Sequence, residues 1–402
     1  MRKILCFCFG LVWGGTFWTC DELVSKPCEL TVQKGQIVIK SIPVTYWRYR
    51  ARSSPAHLSP LVALHGGPSW PHNYLLPLKH LACRGLSEVI FYDQAGCGES
   101  ALPPNRSLSE FPHLLETSYY SQIELPKLLS HWNLDRYHLL GHSWGTILAQ
   151  LFALNASPES LKGLQSMMLA GPLSDSQSYI RAQWDQHEGN LGSLPPFVQG
   201  RVHQLERDHA YDSPEYQAIN AVLTTFFTLR TAPAPDCFVY SNVGLNRDIY
   251  VGMQGASEFT MHGVLGDFNV TAQLHQIKVP VLLSSGRFDT MRPSVVRAMQ
   301  QQLPNSEWKM FPHSGHVSMI DDADEHLRVV ADFLRRVHTA HVMGIHFVPK
   351  DWDQLNQLPE PVGLSATSTA FPAFTAIFAL ILGVFLGRGT RGKSQEAYTR
   401  LE

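Results

Sequence analysis

The chain is 402 residues long, 44% hydrophobic and 16% charged, which is enough to bury a large core plus an insertion and excludes a disordered chain. Its formal net charge is −2 with both signs scattered, so no basic stripe points to nucleic acid and no acidic block to a solvating tail. Among 19 histidines there is no His-Glu-x-x-His, and the cysteines form no Cys-x-x-Cys, so neither a metal nor another cofactor is expected.

In chain order, Met1-Arg2-Lys3 precede an apolar run to Trp13 and the small residues Gly14, Gly15 and Thr16, the layout of a secretory signal peptide, expected over residues 1–20. An uncleaved signal anchor is the rival. Residues 36–40 and 44–49 alternate apolar and polar side chains and predict an antiparallel opening pair. Short apolar runs at 61–64, 89–92, 137–140, 166–169, 281–283 and 308–311 predict buried strands, with helical patterns between most of them. That alternation predicts an α/β architecture, a mostly parallel eight-stranded sheet covered on both faces, with its core over residues 21–171 and 270–338. Residues 172–269 break the rhythm and read as an inserted helical cap over the carboxyl ends of the strands.

Residues 339–363 read as a stalk, the uncharged stretch 364–387 as a transmembrane helix, and 388–402 as a cytoplasmic tail opened by Arg388, Arg391 and Lys393. These features predict a single-pass type I membrane protein with its catalytic part extracellular or luminal; a glycolipid-anchor signal is the alternative. In the tail, Tyr398-Thr399-Arg400-Leu401 fits a sorting signal read by an adaptor, which would direct the chain to endosomes or lysosomes. Glycosylation candidates are Asn105, Asn155 and Asn269. Beyond the leader's Cys6 and Cys8 the cysteines are Cys20, Cys28, Cys83, Cys97 and Cys237, and their pairing stays open.

Chemistry is carried by Gly141-His142-Ser143-Trp144-Gly145, between the run 137–140 and a helical pattern from Thr146. A Gly-x-Ser-x-Gly in that context is the nucleophile elbow of an α/β-hydrolase. A serine hydroxyl needs a general base, and the base needs a group that fixes its tautomer. In this fold the chain order is serine, acid, histidine, and Asp289 and His316 each follow a predicted strand. His313 competes for the base and Asp267 and Asp321 for the acid, but Asp267 and Asp321 follow no strand. Backbone N–H groups of Gly67, in His65-Gly66-Gly67-Pro68, and of Trp144 would form the oxyanion hole.

Together with the elbow, His65-Gly66-Gly67-Pro68 and Tyr92-Asp93-Gln94-Ala95-Gly96-Cys97-Gly98-Glu99-Ser100 resemble the prolyl aminopeptidase (proline iminopeptidase) family, including the tricorn-interacting aminopeptidases, over about residues 32–337. The segment Gly255-Ala256-Ser257-Glu258-Phe259-Thr260-Met261-His262-Gly263 also looks like a family segment, and the resemblance implies that Glu258 binds the free amino terminus of the substrate. A buried carboxylate offsets the cost of desolvating that ammonium. The family adds a second cap acid near an arginine, but Arg230 is followed by Thr231-Ala232-Pro233-Ala234-Pro235; Asp236 is the substitute, unless the second anchor is missing. Ser69 also stands where the family has a glycine. The expected function is a serine hydrolase that releases an N-terminal amino acid, proline included, from short peptides. An amino-acid amidase or esterase of the same fold is the alternative, and an inactive receptor or adhesion module is disfavoured by the intact Ser143-Asp289-His316 set.

Overall fold

The computed structural model describes residues 18–53, 56–352 and 356. The expected transmembrane helix at 364–387, the tail at 388–402 with Tyr398–Leu401, and residues 1–17 of the expected leader lie outside them.

Eight strands form one sheet: β1 (Leu30–Ile39), β2 (Ile42–Ala51), β3 (Leu61–Leu64), β4 (Val89–Tyr92), β5 (Tyr137–His142), β6 (Leu164–Ala170), β7 (Val281–Gly286) and β8 (Ser306–Phe311), in the order β1-β2-β4-β3-β5-β6-β7-β8. β1 and β2 pair antiparallel, β2 runs antiparallel to β4, and the remaining neighbours are parallel. β1 starts at Leu30, six residues before the alternation becomes readable at Gln36. It is an edge strand whose first half faces solvent on both sides, so no buried face imposes a pattern on residues 31–35.

The central strands explain their unbroken apolar composition. Val62, Leu64, Ile90, Tyr92, Leu139, Met167, Leu169 and Leu283 pack into one core cluster, while Leu61, Ala63, Val89, Phe91, Leu140, Met168 and Leu282 pack into the other. Successive side chains point to opposite faces, so both faces are covered and these runs are apolar on both. The sheet order reverses around β3, which lies between β4 and β5. A crevice opens at such a switch point, at the carboxyl ends of the strands.

Between β6 and β7 the chain runs through five α-helices: Ser176–Gln183, Pro196–Arg207, Pro214–Phe227, Asp236–Gly244 and Arg247–Met253. The two ends of this insertion meet where Asp175 bridges Asn269. Asn105, Asn155 and Asn269 are all exposed.

Two expectations about the ends of the chain are corrected. Cys20 is disulfide-bonded to Cys237, so it belongs to the folded chain and not to a leader ending at residue 20. The segment expected to be a stalk from 339 instead begins inside the helix Ala323–Met343, is mostly exposed over 341–351, and returns to the sheet at its described end. Trp352 and Asn356 are buried, and Asn356 accepts from the amide of Met310 at 2.9 Å and donates to the carbonyl of Trp308 at 2.6 Å. β8 is an edge, and this segment satisfies backbone groups that edge leaves unpaired. A second disulfide joins Cys28 to Cys83, and Cys97 is free and buried.

Cys237→Ser is expected to destabilise the fold by about 2–5 kcal/mol, because the lost cross-link closes a long loop. Denaturant titration with and without reductant checks this, and peptide mapping of the purified protein should find Cys20 retained.

Candidate active site

β5 ends at His142 and a helix runs from Trp144 to Asn155, which leaves Ser143 on the turn between them with φ 54° and ψ −122°. A non-glycine residue in that left-handed region stores about 1–3 kcal/mol of strain. The turn fits because Gly145 has no side chain: a Cβ there would lie 2.1 Å from the carbonyl oxygen of Leu64 in β3. The amide of Ser143 donates to the carbonyl of Ala170 at 2.9 Å, and a Cβ on the following residue, Gly171, would meet Cε1 of His316 at 2.6 Å. Ser143 and His316 therefore flank the same dipeptide at the end of β6. Gly171 is a site residue that the sequence reading missed, since a glycine after a strand carries no distinguishing signal.

His316 follows β8 and Asp289 follows β7. Nδ1 of His316 donates to Oδ1 of Asp289 at 2.6 Å, with both side chains buried. The carboxylate is fixed by the amides of Met291 at 2.8 Å and Gly286 at 3.3 Å. From the insertion, Asn190 donates to the carbonyl of Asp289 at 3.3 Å and Gln183 to that of Thr290 at 2.6 Å. Burial alone would pull the imidazole down, but the charge and hydrogen bond of Asp289, with a further contribution from Glu258, leave His316 above the ordinary histidine value. Among the described residues, Nε2 of His316 has no hydrogen-bond partner, so the bond to the serine hydroxyl that a triad uses in attack remains to be made.

The competitors sit elsewhere. His313 is exposed, and its carbonyl accepts from Nε of Arg230 at 3.0 Å. Asp267 is exposed. Asp321 is a clamp, its carboxylate accepting from the amides of Gly315 at 2.9 Å, Arg230 at 3.0 Å and Thr231 at 2.8 Å and from the hydroxyl of Thr231 at 2.7 Å. It ties the loop carrying His316 to the insertion.

Gly67 follows β3, and its N–H makes no backbone hydrogen bond among the described residues. Trp144 opens its helix, where an N–H has no intrahelical acceptor. Gln94 braces the two: its side chain accepts from Nε1 of Trp144 at 2.8 Å and donates to the carbonyl of His65 at 3.0 Å, while its amide donates to Nε2 of His65 at 2.9 Å. Burial pushes His65 down to about 4, so it stays neutral and can accept. The Asp93–Ser100 motif thus supports the loop after β3 that carries Gly67.

Glu258 retains some exposure, and its Oε2 accepts from the hydroxyl of Tyr250 at 3.0 Å. Tyr179 donates to its backbone carbonyl. Burial raises the carboxyl above its ordinary value, opposed by the charge of His316 and the Tyr250 bond and reinforced by Asp289. Asp236 does not join it. Oδ1 of Asp236 accepts from the amides of Cys20 at 3.0 Å and Cys237 at 2.6 Å, so this carboxylate serves the amino-terminal segment. Cys20, Asp236 and Cys237 are also the group of potential metal ligands found among the described residues, but the disulfide consumes both thiols.

A family model for the alpha/beta hydrolase fold matches residues 59–323. The chain is 33% identical over 287 residues to a proline iminopeptidase of Lactobacillus helveticus, covering 71% of this chain and 93% of that one. It is 35% identical over 283 residues to one of Heyndrickxia coagulans, covering 69% and 91%. Among solved structures, a proline iminopeptidase of Mycobacterium smegmatis superimposes with a TM-score of 0.67 at 26% identity, covering 77% of this chain and all (100%) of that one.

The expectation of a single-pass membrane protein is corrected at this point. Among the described residues no helix is long and apolar enough to cross a membrane, and the matched relatives are proline iminopeptidases whose nearly full length is accounted for by the hydrolase part. The membrane and adaptor partners rested on residues outside those described and are not carried forward.

Asp321→Ala would orphan four donors and is expected to lower stability by about 3–5 kcal/mol, read as a fall in melting temperature. Asp289→Asn should leave the melting temperature nearly unchanged and lower kcat by about 10⁴-fold.

Proposed function

This chain belongs to the α/β-hydrolases and, within them, to the proline iminopeptidase family, and from that premise we propose that it releases an N-terminal amino acid, proline included, from short peptides through an acyl-enzyme on Ser143. The observation that carries this reading is the Glu258 carboxylate of the insertion, electrostatically coupled to His316 and Asp289, which suits a positively charged amine next to a scissile carbonyl.

In the proposed cycle the substrate ammonium pairs with Glu258. Ser143 attacks the carbonyl while Nε2 of His316 takes its proton, and Asp289 holds the imidazole in the tautomer that can accept it. The N–H groups of Gly67 and Trp144 stabilise the oxyanion, each donor contributing about 3 kcal/mol. His316 returns the proton to the leaving amine, and water activated by the same base clears the acyl-enzyme. The core at 21–171 and 270–338, with a cap at 172–269, is the division on which this cycle relies.

One observation favours a second reading. With Asp236 committed to Cys20 and Cys237, the cap offers a single amine anchor where the resemblance implies two, which suits an amidase or esterase with looser demands on the amine.

The test is hydrolysis of proline and other amino-acid anilides, their N-acetylated versions and a simple ester. Free-amine substrates should be preferred, and Ser143→Ala should lower turnover by about 10⁴-fold or more. Glu258→Gln should lower kcat/KM on anilides by about 30-fold or more and spare the ester. Equal turnover of blocked substrates would replace the aminopeptidase reading with the second one. Because His316 must be neutral to act and its pKa is raised, activity should fall with decreasing pH along a limb centred above the ordinary value of about 6.5. A pH profile of kcat/KM checks the sign.

A further inference from the structure

The oxyanion strap and the loop that carries the base come from distant parts of the sequence, yet a continuous hydrogen-bonded chain joins them. The amide of Gly66 donates to the hydroxyl oxygen of Tyr74 at 2.7 Å. That hydroxyl lies 2.7 Å from Nδ1 of His142, and Nε2 of His142 lies 3.0 Å from the carbonyl of His316. Tyr74 and His142 are completely buried.

The direction of every proton follows from this connectivity. A carbonyl can only accept, so Nε2 of His142 carries the hydrogen. A neutral imidazole then has a bare Nδ1, which must accept, and the hydroxyl proton of Tyr74 goes to it. The same oxygen takes the Gly66 N–H on a lone pair. Burial and the charge of His316 hold His142 well below the ordinary histidine value, so it stays neutral, as the chain requires. Its ring packs against that of His316 with centroids 4.6 Å apart, and a second cation there would disrupt both contacts.

The insertion presses on the other end. The indole of Trp70 stacks on Tyr74 at 3.9 Å, Nε1 of Trp70 donates to Asn242 at 2.9 Å, and the amide of Tyr74 donates to the hydroxyl of Ser241 at 3.0 Å. Asn242 and Ser241 lie on the insertion helix Asp236–Gly244.

We propose that Tyr74 and His142 are positioning residues that set the distance between the oxyanion strap and the base, through the chain from the Gly66 N–H to the carbonyl of His316. The proposal rests on the Ser143–His316 reading above and acts on the rate of attack, not on amine recognition. Tyr74→Phe removes two of the three hydrogen bonds in the chain and keeps the ring that packs against Trp70. Its kcat should fall about 10- to 100-fold with KM within about twofold, the scale of losing catalytic alignment without losing binding.

His142→Gln, which can accept from Tyr74 and donate to His316, should keep most of the rate, whereas His142→Leu should lose it. All rates are read on the simple ester and by fluorophosphonate labelling of Ser143 as well as on anilides. Wild-type kcat in Tyr74→Phe, or equal losses in His142→Gln and His142→Leu with parallel drops in melting temperature, would overturn the proposal. Failure of the aminopeptidase reading looks different: the wild type would turn over the ester and not the free-amine anilides, and the variants would still be ranked on the ester. If Tyr74→Phe does not fold, the two His142 variants decide the matter.

Discussion

The structure depends on how closely the end of β5 approaches β3. The carbonyl of Leu64 occupies the space a side chain on residue 145 would need, and Ser143 is held in a left-handed conformation that few side-chain-bearing residues adopt. This contact brings the loop after β3, with Gly66 and Gly67, to the serine. It also sets where the helix from Trp144 begins, and hence where its first free N–H groups lie. Because the sheet order reverses at β3, a crevice opens beside it at the carboxyl ends of the strands, and the insertion between β6 and β7 can reach it.

Around this contact several buried polar groups hold loops in place. Asp93 accepts from Nδ1 of His72 at 2.7 Å and from the amide of Glu99 at 2.8 Å, and so shapes the turn that presents Gln94. Glu124 is fully buried and pushed up to about 8, and it accepts the amide of Ala95 at 3.0 Å, fixing the other side of the same turn. Each such group is costly to bury alone and stabilising once paired, so the web favours one arrangement of the loops over many near alternatives. Preorganisation of this kind lets backbone donors stabilise developing charge without reorganising.

How much was legible in the sequence follows from the same physics. Central strands were readable because burial on both faces forces an unbroken apolar run, and β1 was truncated because its outer half has no buried face. Ser143, Asp289 and His316 could be nominated because their chain order and positions after strands are local signals. Glu258 and the Asp93–Ser100 string came from resemblance and not from pattern. Tyr74, Gln183 and Asn190 were invisible, since each acts across a long sequence separation and nothing nearby marks it. Asp236 shows the converse: an acid of suitable type near the expected place accepts the amides of Cys20 and Cys237, which only the three-dimensional partners reveal.

The same web gives the aminopeptidase reading a consequence for the order of events. Glu258 contributes to raising His316, so an ionised, unpaired Glu258 favours the protonated imidazole, which cannot act as a base. On that reading a substrate ammonium paired with Glu258 would cancel part of that field and lower the pKa of His316. A substrate with a blocked amino group would forfeit the ion pair and would leave that field on His316 in place. Discrimination would therefore appear in kcat as well as in KM, and a single carboxylate near the triad could achieve what the resemblance assigns to two anchors.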